Sequence, residues 1–479
     1  MYLLKIRLEN AGPIDLLEKE LPVQGNRAPK PLVLVGPNGS GKSIFLSHVV
    51  SAMMNAHGAI FEDGDMKKGK VYKLRSPSYI RRGETYSLSC LEFTGGLYED
   101  EVTLVRTKAD FEEHFQYTPI FKRWNDFKPD LNSTVLSNFH SQLPTVREAL
   151  IGPHLYFPPN RFEDPAWLNE VSLKNVVEYF DAKRFAEISE RPIVQYAPMR
   201  ENQKWLLDLI YDSFAVERRY THVPILGVQH PLYALDRDGA ATKILNKIED
   251  FVRLLLGGEG DLGWGVGGRS RRTISVSASG QELTSNLFAL STGQAVLFDL
   301  FLTILRHADF SGQIINQLSD VKGLVVVDEV DLHLHTSLQF EMLPKLLHMF
   351  PGVQFILSSH SPLFLLGMEK SFGETGMIIL DMPTGEEISA ERFCEFEEAY
   401  RYLADTRKFE TEINSRLSET TQPLLIVEGT TDIDYIRKAA EHLGKTGVLD
   451  PIEFVDGDGF KGLDKIWKNL STERWSNVT

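Results

Sequence analysis

A glycine-rich loop near the N-terminus carries the strongest chemical signal in the sequence. Residues 36–43 read GPNGSGKS and follow the apolar run 31–35, which predicts a buried strand. Glycines let successive N–H groups converge on an anion, and a helix that begins after the loop adds its positive N-terminal end. Lysine and serine at the end of such a P-loop reach the phosphates and a magnesium ion. The loop predicts a nucleotide-phosphate site made by Asn38, Gly39, Ser40, Gly41, Lys42 and Ser43.

Two adjacent carboxylates, Asp328 and Glu329, follow a second apolar run at residues 324–327. Parallel α/β sheets bind ligands at the carboxyl ends of their strands, so both acids are expected at such an edge. This is the Walker B pattern, in which Asp328 would join Ser43 around Mg²⁺ and Glu329 would orient and polarise the attacking water. Together with the P-loop, the pair predicts an enzyme that hydrolyses ATP with Mg²⁺.

A short string at residues 290–294, LSTGQ, lies between these two motifs. Alone it would predict only the N-cap of a helix. Because of its position it resembles the signature loop of ABC-type ATPases, which caps the γ-phosphate held by a second subunit. The resemblance implies a homodimer with two composite ATP sites, to which this loop contributes Ser291, Gly293 and Gln294.

Three further residues match ABC-type loops less directly. Asp331 fits the loop that crosses the dimer interface, and His360, in the run LSSHSP, matches the switch histidine that contacts the γ-phosphate. Gln195 is a candidate for the glutamine of the switch loop, although the residues around it do not identify that loop.

Residues 328–335, DEVDLHLH, resemble the DEPELHLHP run of the OLD (overcoming lysogenization defect) family, and residues 156–161, YFPPNR, are similar to its mid-domain segment. Val330 and Thr336 stand where that pattern has proline. The resemblance implies an ABC-type ATPase whose dimerisation, or higher homo-oligomerisation, controls a C-terminal Toprim nuclease acting on DNA in anti-phage defence.

The C-terminal run LLIVEG, residues 424–429, resembles the start of a Toprim fold and implies that Glu428 is its catalytic and metal-binding acid. Asp456 and Asp458 could be taken for the DxD metal motif. In Toprim folds that motif ends the third strand, whereas residues 452–455 predict only the second strand after Glu428. We therefore expect an incomplete unit without the metal motif.

Three functions remain open at this stage. One is an OLD-like nuclease that is truncated or whose nuclease centre comes from another protein. The second is a scaffold or sensor ATPase that holds and releases a separate effector or another protein of a defence system. The third, the nucleotide-binding subunit of a membrane transporter, is disfavoured by the insertion at about 165–265 and by the C-terminal unit.

The predicted architecture is α/β, with an ABC-type P-loop ATPase domain at residues 1–422 and an incomplete Toprim-like unit at 423–479. The apolar runs 323–327 and 354–357 predict further strands of a parallel sheet. Helices are expected at 182–218, at 241–256 and from about 293, so the insertion at about 165–265 should be helical. The glycine-dense residues 257–268 predict a loop.

Composition excludes several classes of protein. The 479 residues include 66 acidic and 51 basic side chains, and the net charge of −15 excludes non-specific coating of nucleic acid. DNA contact would need local basic segments, such as residues 66–83 or the cluster Arg269, Arg271 and Arg272.

Two cysteines cannot form a disulfide framework, which suits a cytoplasmic protein. The sequence shows no signal peptide, and prolines interrupt its most apolar region, 346–368, so no membrane association is expected.

Overall fold

The structure is a computed structural model that describes residues 1–23, 25, 28–61, 77–161, 192–225, 227–235, 238–268, 272–390 and 423–456. The chain divides into two compact units, Met1–Phe396 and Glu397–Thr479. Several sequence-based predictions fall outside the described residues, namely Arg269, Arg271, Asp458, residues 182–191 of the helix expected at 182–218, and most of the basic segment 66–83.

The described strands fall in both units. In chain order they are Leu3–Ala11 (β1), Ile14–Glu20 (β2), Leu32–Val35 (β3), Tyr86–Phe93 (β4), Leu97–Leu104 (β5), Ser133–Ser137 (β6), His154–Phe157 (β7), Arg218–Ile225 (β8), Val228–Leu235 (β9), Leu262–Val266 (β10), Ile274–Ala278 (β11), Gln281–Thr284 (β12), Gly323–Val327 (β13), Val353–Ser358 (β14), Ile378–Asp381 (β15), Glu386–Glu387 (β16), Leu424–Val427 (β17) and Glu453–Asp456 (β18).

The described α-helices vary from one and a half to five turns. They are Lys42–Ile60 (α1), Lys108–His114 (α2), Leu143–Ala149 (α3), Met199–Tyr211 (α4), Ala240–Leu256 (α5), Thr292–Phe310 (α6), Leu343–His348 (α7), Pro362–Phe372 (α8) and Thr430–His442 (α9). A π-helical turn, Asp212–Val216, continues α4, and another, Leu338–Met342, leads into α7.

A six-stranded sheet forms the centre of the first unit, in the order β16-β15-β3-β14-β13-β7. All its neighbours pair in parallel except β15 and β16. Strands β3, β7, β13 and β14 are buried along their whole length. This burial on both faces explains the continuous apolar sequences of β3 and β13 and the mostly apolar ones of β7 and β14, and it confirms the predicted parallel sheet.

Alternate residues of the central strands enter two different hydrophobic cores. Leu32 and Val326 pack on one face with the apolar side of α1, for example Phe45. Val33 and Val327 pack on the other face with α4, α5 and α6. Because α1 and α6 cover opposite faces, the loops that precede both helices are fixed by a shared rigid sheet.

Antiparallel sheets complete the first unit. Strands β2-β1-β4-β5-β6 form a five-stranded sheet, and β10-β11-β12 form a three-stranded sheet. The loop predicted at 257–268 is therefore wrong in part, since Leu262–Val266 pairs with Ile274–Ala278 in regular antiparallel register. Glycines at 263 and 265 leave room there for the side chains of Ser277 and Ser275.

The expected helical insertion is of mixed structure in its described part. Helix α5 is present as predicted. The helix predicted at 182–218 is wrong in part: residues 192–198 are not helical, α4 begins only at Met199, and the π-helical turn continues it to Val216. Between α4 and α5, Arg218–Ile225 and Val228–Leu235 form an antiparallel hairpin. None of the described helices combines the length and the apolar character that a bilayer crossing requires.

In the second unit, β17 and β18 pair in parallel, with α9 connecting them. Val427 lies opposite Asp456 in this register. The strand expected at 452–455 is thus present, as Glu453–Asp456. The identity of the unit as Toprim-like stays a prediction.

Candidate functional site

Four neighbouring strands of the central sheet bring the candidate residues to one edge. The P-loop follows β3, residues 358–360 end or follow β14, Asp328 follows β13, and Arg161 lies shortly after β7. Parallel strands place these four chain segments side by side although they are distant in sequence. The carboxyl edge of a parallel sheet is where α/β proteins bind ligands.

The P-loop has the backbone conformation that its glycines predict. Gly36 has a φ of 128°, and a Cβ atom there would lie 2.6 Å from the carbonyl oxygen of Met382. Gly41, with a φ of 97°, forms the N-cap of α1. The ammonium group of Lys42 donates hydrogen bonds to the carbonyl oxygens of Gly36 at 2.6 Å and Pro37 at 3.1 Å. Lys42 is therefore folded over the loop that would enclose the phosphates.

The hydroxyl of Ser43 donates a hydrogen bond of 2.9 Å to Oδ2 of Asp328. Ser43 is exposed at the start of α1, whereas Asp328 is only 2% exposed. A hydroxyl and a carboxylate are the hard oxygen ligands that Mg²⁺ accepts beside water and phosphate oxygens. This pair fits a magnesium ion bound to a nucleotide.

Ser358, the last residue of β14, forms hydrogen bonds with both residues of the Walker B pair. Its hydroxyl donates a hydrogen bond to Oδ1 of Asp328 and accepts one of 2.8 Å from the backbone N–H of Glu329. Ser358 is fully buried. The Asp328 carboxylate is thus held by one hydroxyl on each oxygen.

Arg161 holds the same turn from the other side. Its Nη1 donates to the carbonyl oxygens of Asp328 at 2.6 Å and Pro158 at 3.0 Å, and its Nη2 donates to that of Glu329 at 2.8 Å. Burial lowers the pKa of the Arg161 guanidinium below its ordinary value, against the opposing charge of Asp328. The arginine is nevertheless expected to be charged at neutral pH.

Glu329 has a left-handed backbone conformation, with a φ of 49°. A non-glycine residue pays a steric cost in this region and stays there only when its surroundings hold it. Ser358 binds the N–H of Glu329 and Arg161 binds its C=O, so both sides of the residue are fixed.

The signature-like string begins α6. Ser291 is the N-cap residue and is exposed, and its hydroxyl donates a hydrogen bond of 2.6 Å to Oε1 of Gln294. Gly293 is buried, and a Cβ atom there would lie 3.1 Å from the carbonyl oxygen of His333. This close contact joins the string to the loop that follows the Walker B pair.

The remaining predicted residues lie in different surroundings. Asp331 is half-buried, and its Oδ1 has no hydrogen-bond partner among the described residues. His360 is half-buried just beyond β14. The side chain of Gln195 donates to the carbonyl oxygen of Pro192 at 2.9 Å, which gives no sign of a nucleotide-facing role. Glu428 is exposed in the second unit.

The sequence does not indicate the contacts that Arg161 and Ser358 make with the Walker B pair. In the sequence, Arg161 is only the last residue of the YFPPNR segment, and Ser358 only a residue near His360. A polar residue directly after, or at the end of, an apolar strand was the available signal, because such residues lie at the ligand-binding edge.

A protein-family model of an ATPase domain matches the part of the chain that carries much of this site. Residues 245–366 match the family AAA_21, described as "AAA domain, putative AbiEii toxin, Type IV TA system". This segment contains the signature-like string, the Walker B pair and His360. The prediction of an α/β P-loop ATPase fold is thereby confirmed, whereas membership of the OLD family stays a prediction.

Individual relatives share limited parts of the chain. The retron Vc95 probable ATPase of Vibrio cholerae serotype O1 biovar El Tor is 38% identical over 92 residues, which are 19% of this chain and 18% of that protein. The retron Ec83 probable ATPase of Escherichia coli is 22% identical over 389 residues, 74% of this chain and 68% of that protein. A solved Smc head bound to the C-winged helix domain of ScpA matches with a TM-score of 0.40 and 11% identity, covering 82% of this chain and 99% of that chain.

Proposed function

We propose that this chain binds ATP with Mg²⁺ and hydrolyses it when two copies close head to head around the nucleotide. The observation that carries the proposal is the 2.9 Å hydrogen bond between Ser43 and Asp328, which brings the P-loop and the Walker B acid to one point. Neither motif alone would support a hydrolytic site, whereas their meeting at the edge of a parallel sheet supports one.

Each residue at this edge has a distinct task in the proposed reaction. The P-loop backbone, Lys42 above all, would bind the phosphates, and Ser43 with Asp328 would hold Mg²⁺. The ion, when bound, neutralises charge on the β- and γ-phosphates. Glu329 would orient the attacking water and take its proton, and His360 would contact the γ-phosphate.

The composite site is proposed from the exposure of the signature-like string. Ser291 lies at the solvent-exposed start of α6, and its hydroxyl binds Gln294 of the same helix. A second copy would therefore find this loop accessible, and Ser291, Gly293, Gln294 and Asp331 would complete the partner's ATP site. A two-fold arrangement makes both sites equivalent.

A mixing experiment tests the composite site. Lys42→Ala and Ser291→Arg should each abolish hydrolysis when purified alone. In a mixed dimer one site carries both changes and the other carries neither. Random pairing makes about half of the dimers mixed, and each of these has one intact site of two, so an equimolar mixture should recover about a quarter of wild-type activity. A mixture as inactive as its components would oppose the head-to-head arrangement, and full activity of either variant alone would oppose the assigned residues.

The proposed biological role is control of a separate effector protein in anti-phage defence. Support comes from two relatives named as probable ATPases of retrons and from a family description that includes a toxin of a type IV toxin–antitoxin system. In its native host, Lys42→Ala should raise the plating efficiency of a phage that the wild-type strain restricts. Equal restriction by both strains would remove the ATPase from that role.

A second candidate function is DNA cleavage by the C-terminal unit. Its support is the parallel register of β17 and β18, in which Val427 pairs with Asp456 and Glu428 follows directly. Among the described residues, however, no group of three or more acidic, histidine or cysteine side chains could hold a metal ion. Cleavage of plasmid DNA with ATP and Mg²⁺ or Mn²⁺, lost in Glu428→Ala, would establish this function in place of effector control.

A further inference from the structure

We propose that Arg161 is a positioning residue for ATP hydrolysis, which acts by fixing the turn that carries Glu329. The inference rests on the proposed ATPase function and adds a residue to it. Arg161 lies outside the P-loop, Walker B, signature and switch motifs, and it contributes to the site through backbone atoms of Asp328 and Glu329.

Arg161 is buried, so its charged group needs specific hydrogen-bond partners. The residue is 7% exposed, and a guanidinium taken out of water is costly unless its N–H groups are satisfied. Its two terminal nitrogens donate to three carbonyl oxygens, two of which belong to consecutive residues of the Walker B turn. The planar, rigid fork of arginine suits this task, because its two nitrogens can bind two neighbouring carbonyl groups at once.

The backbone of Glu329 explains why such a clamp is needed. Its φ of 49° would relax toward the ordinary right-handed or extended regions if one side were released. Ser358 holds the N–H and Arg161 holds the C=O. Losing Arg161 would therefore redirect the Glu329 side chain and leave the phosphate-binding contacts of Lys42 and Ser43 in place.

A small cavity lies between Arg161 and the helix that follows the signature-like string. Arg161 lines this space of about 20 Å³ together with Val296, Asp299 and Leu300 of α6. The arginine that binds the Walker B turn therefore also borders the signature helix across this cavity.

The test separates positioning from folding by comparing kcat with KM. Arg161→Lys, and in parallel Arg161→Gln, should lower kcat at least about tenfold while KM for ATP stays within about threefold. The same substitution in a Glu329→Gln background should cause no further loss in single-turnover hydrolysis, because residues that act as one unit are not additive.

Arg306→Lys is the matched control, since Arg306 is an equally buried arginine, 7% exposed, that makes no hydrogen bond to the Walker B turn or the P-loop within the described ranges. This variant should lower the thermal midpoint without a selective loss of kcat. Thermal unfolding of every variant reports whether the purified protein is folded.

Several outcomes would overturn the positioning role. One is a folded Arg161→Lys variant whose kcat stays within about twofold of wild type. A second is a loss of hydrolysis rate in the Glu329→Gln background as large as the loss in the wild-type background. A third is the same loss of kcat in Arg306→Lys. Failure of both Arg161 variants to fold beside a folded Arg306→Lys would assign a structural role instead. Normal turnover by Glu329→Gln alone would contradict the proposed ATPase mechanism, a result distinct from all of these.

Discussion

The hydroxyl of Ser43 lies 2.9 Å from Oδ2 of Asp328, although 285 positions separate the two residues in the chain. Strand β14 lies between β3 and β13, the strands that lead to these residues, and all three run in parallel. The rigid sheet therefore sets the distance between the P-loop and the Walker B acid. Substitutions at this point should affect hydrolysis more than folding, because Ser43 is exposed.

Ser43→Ala should retain ATP binding but lose about 100-fold in kcat, since one of the two protein oxygens proposed for Mg²⁺ is removed. The measurement is a steady-state titration of hydrolysis against Mg²⁺ concentration. Ser43→Thr keeps the hydroxyl and is the control, with kcat within a few-fold of wild type. If Ser43→Ala kept the wild-type dependence on Mg²⁺, the serine would not be a ligand.

Glu329→Gln should bind ATP and accumulate as a closed dimer, because the amide cannot accept the proton of the attacking water. Sedimentation velocity with ATP and Mg²⁺ should show a mass near twice that of the 54.2 kDa chain. Adding Lys42→Ala to this variant should return it to the state seen without nucleotide. A variant that stays monomeric with ATP bound would argue against nucleotide-driven closure.

Ser358→Ala should lower both kcat and stability. The substitution removes the hydrogen bond to Oδ1 of buried Asp328 and leaves the partly buried Glu329 N–H without its acceptor, at a cost of about 1–3 kcal/mol in the free energy of unfolding. Chemical denaturation and steady-state kinetics measure the two effects.

Ser359→Ala is the control for that experiment. Ser359 is also fully buried, but its hydroxyl accepts from the N–H of Ser361 rather than from the Walker B turn. Equal loss of kcat in both serine variants would mean that general destabilisation, and not the hold on Glu329, limits turnover.

The central sheet and the motifs at its edge were predictable because their signals are local. Continuous apolar runs indicated β3, β13 and β14, and the glycines of residues 36–43 indicated the tight loop. The contacts of Arg161 were not predictable, since they depend on β7 lying beside β13, and strand order is decided by tertiary packing. Strand β10 was missed because its glycines favour a loop locally, while pairing with β11 stabilises the extended chain.

The insertion at about 165–265 also contains one element that its sequence predicts and others that depend on pairing between two strands. The amphipathic spacing of α5 predicted its position within one residue, Ala240 against the expected 241. Arg218–Ile225 and Val228–Leu235 each contain a proline and several polar residues, so neither gives the apolar alternation of a half-buried strand. Their pairing with each other stabilises a hairpin that neither sequence indicates alone.

Asp299, on the signature helix, should make stability depend on pH. Its burial raises the pKa of the carboxyl from 3.8 to about 7, while Asn202 donates to Oδ1 at 3.0 Å and Arg306 opposes the shift. Because this pKa is higher in the folded than in the unfolded chain, the folded chain holds more protons between about pH 4 and 7. The contribution of Asp299 to stability is therefore present at low pH and is lost as pH rises through this window.

Asp299→Asn should remove that dependence, because an amide does not ionise and still offers an oxygen to Asn202. The difference in unfolding free energy between variant and wild type should grow in favour of the variant from pH 5 to pH 8, by about 3 kcal/mol, because each of the two pH units between 5 and the folded-state pKa of about 7 contributes about 1.4 kcal/mol. Urea denaturation at both pH values measures it, with Asp309→Asn, on the same helix, as the control. A constant difference across the range would mean that Asp299 ionises as readily in the folded chain as in the unfolded one.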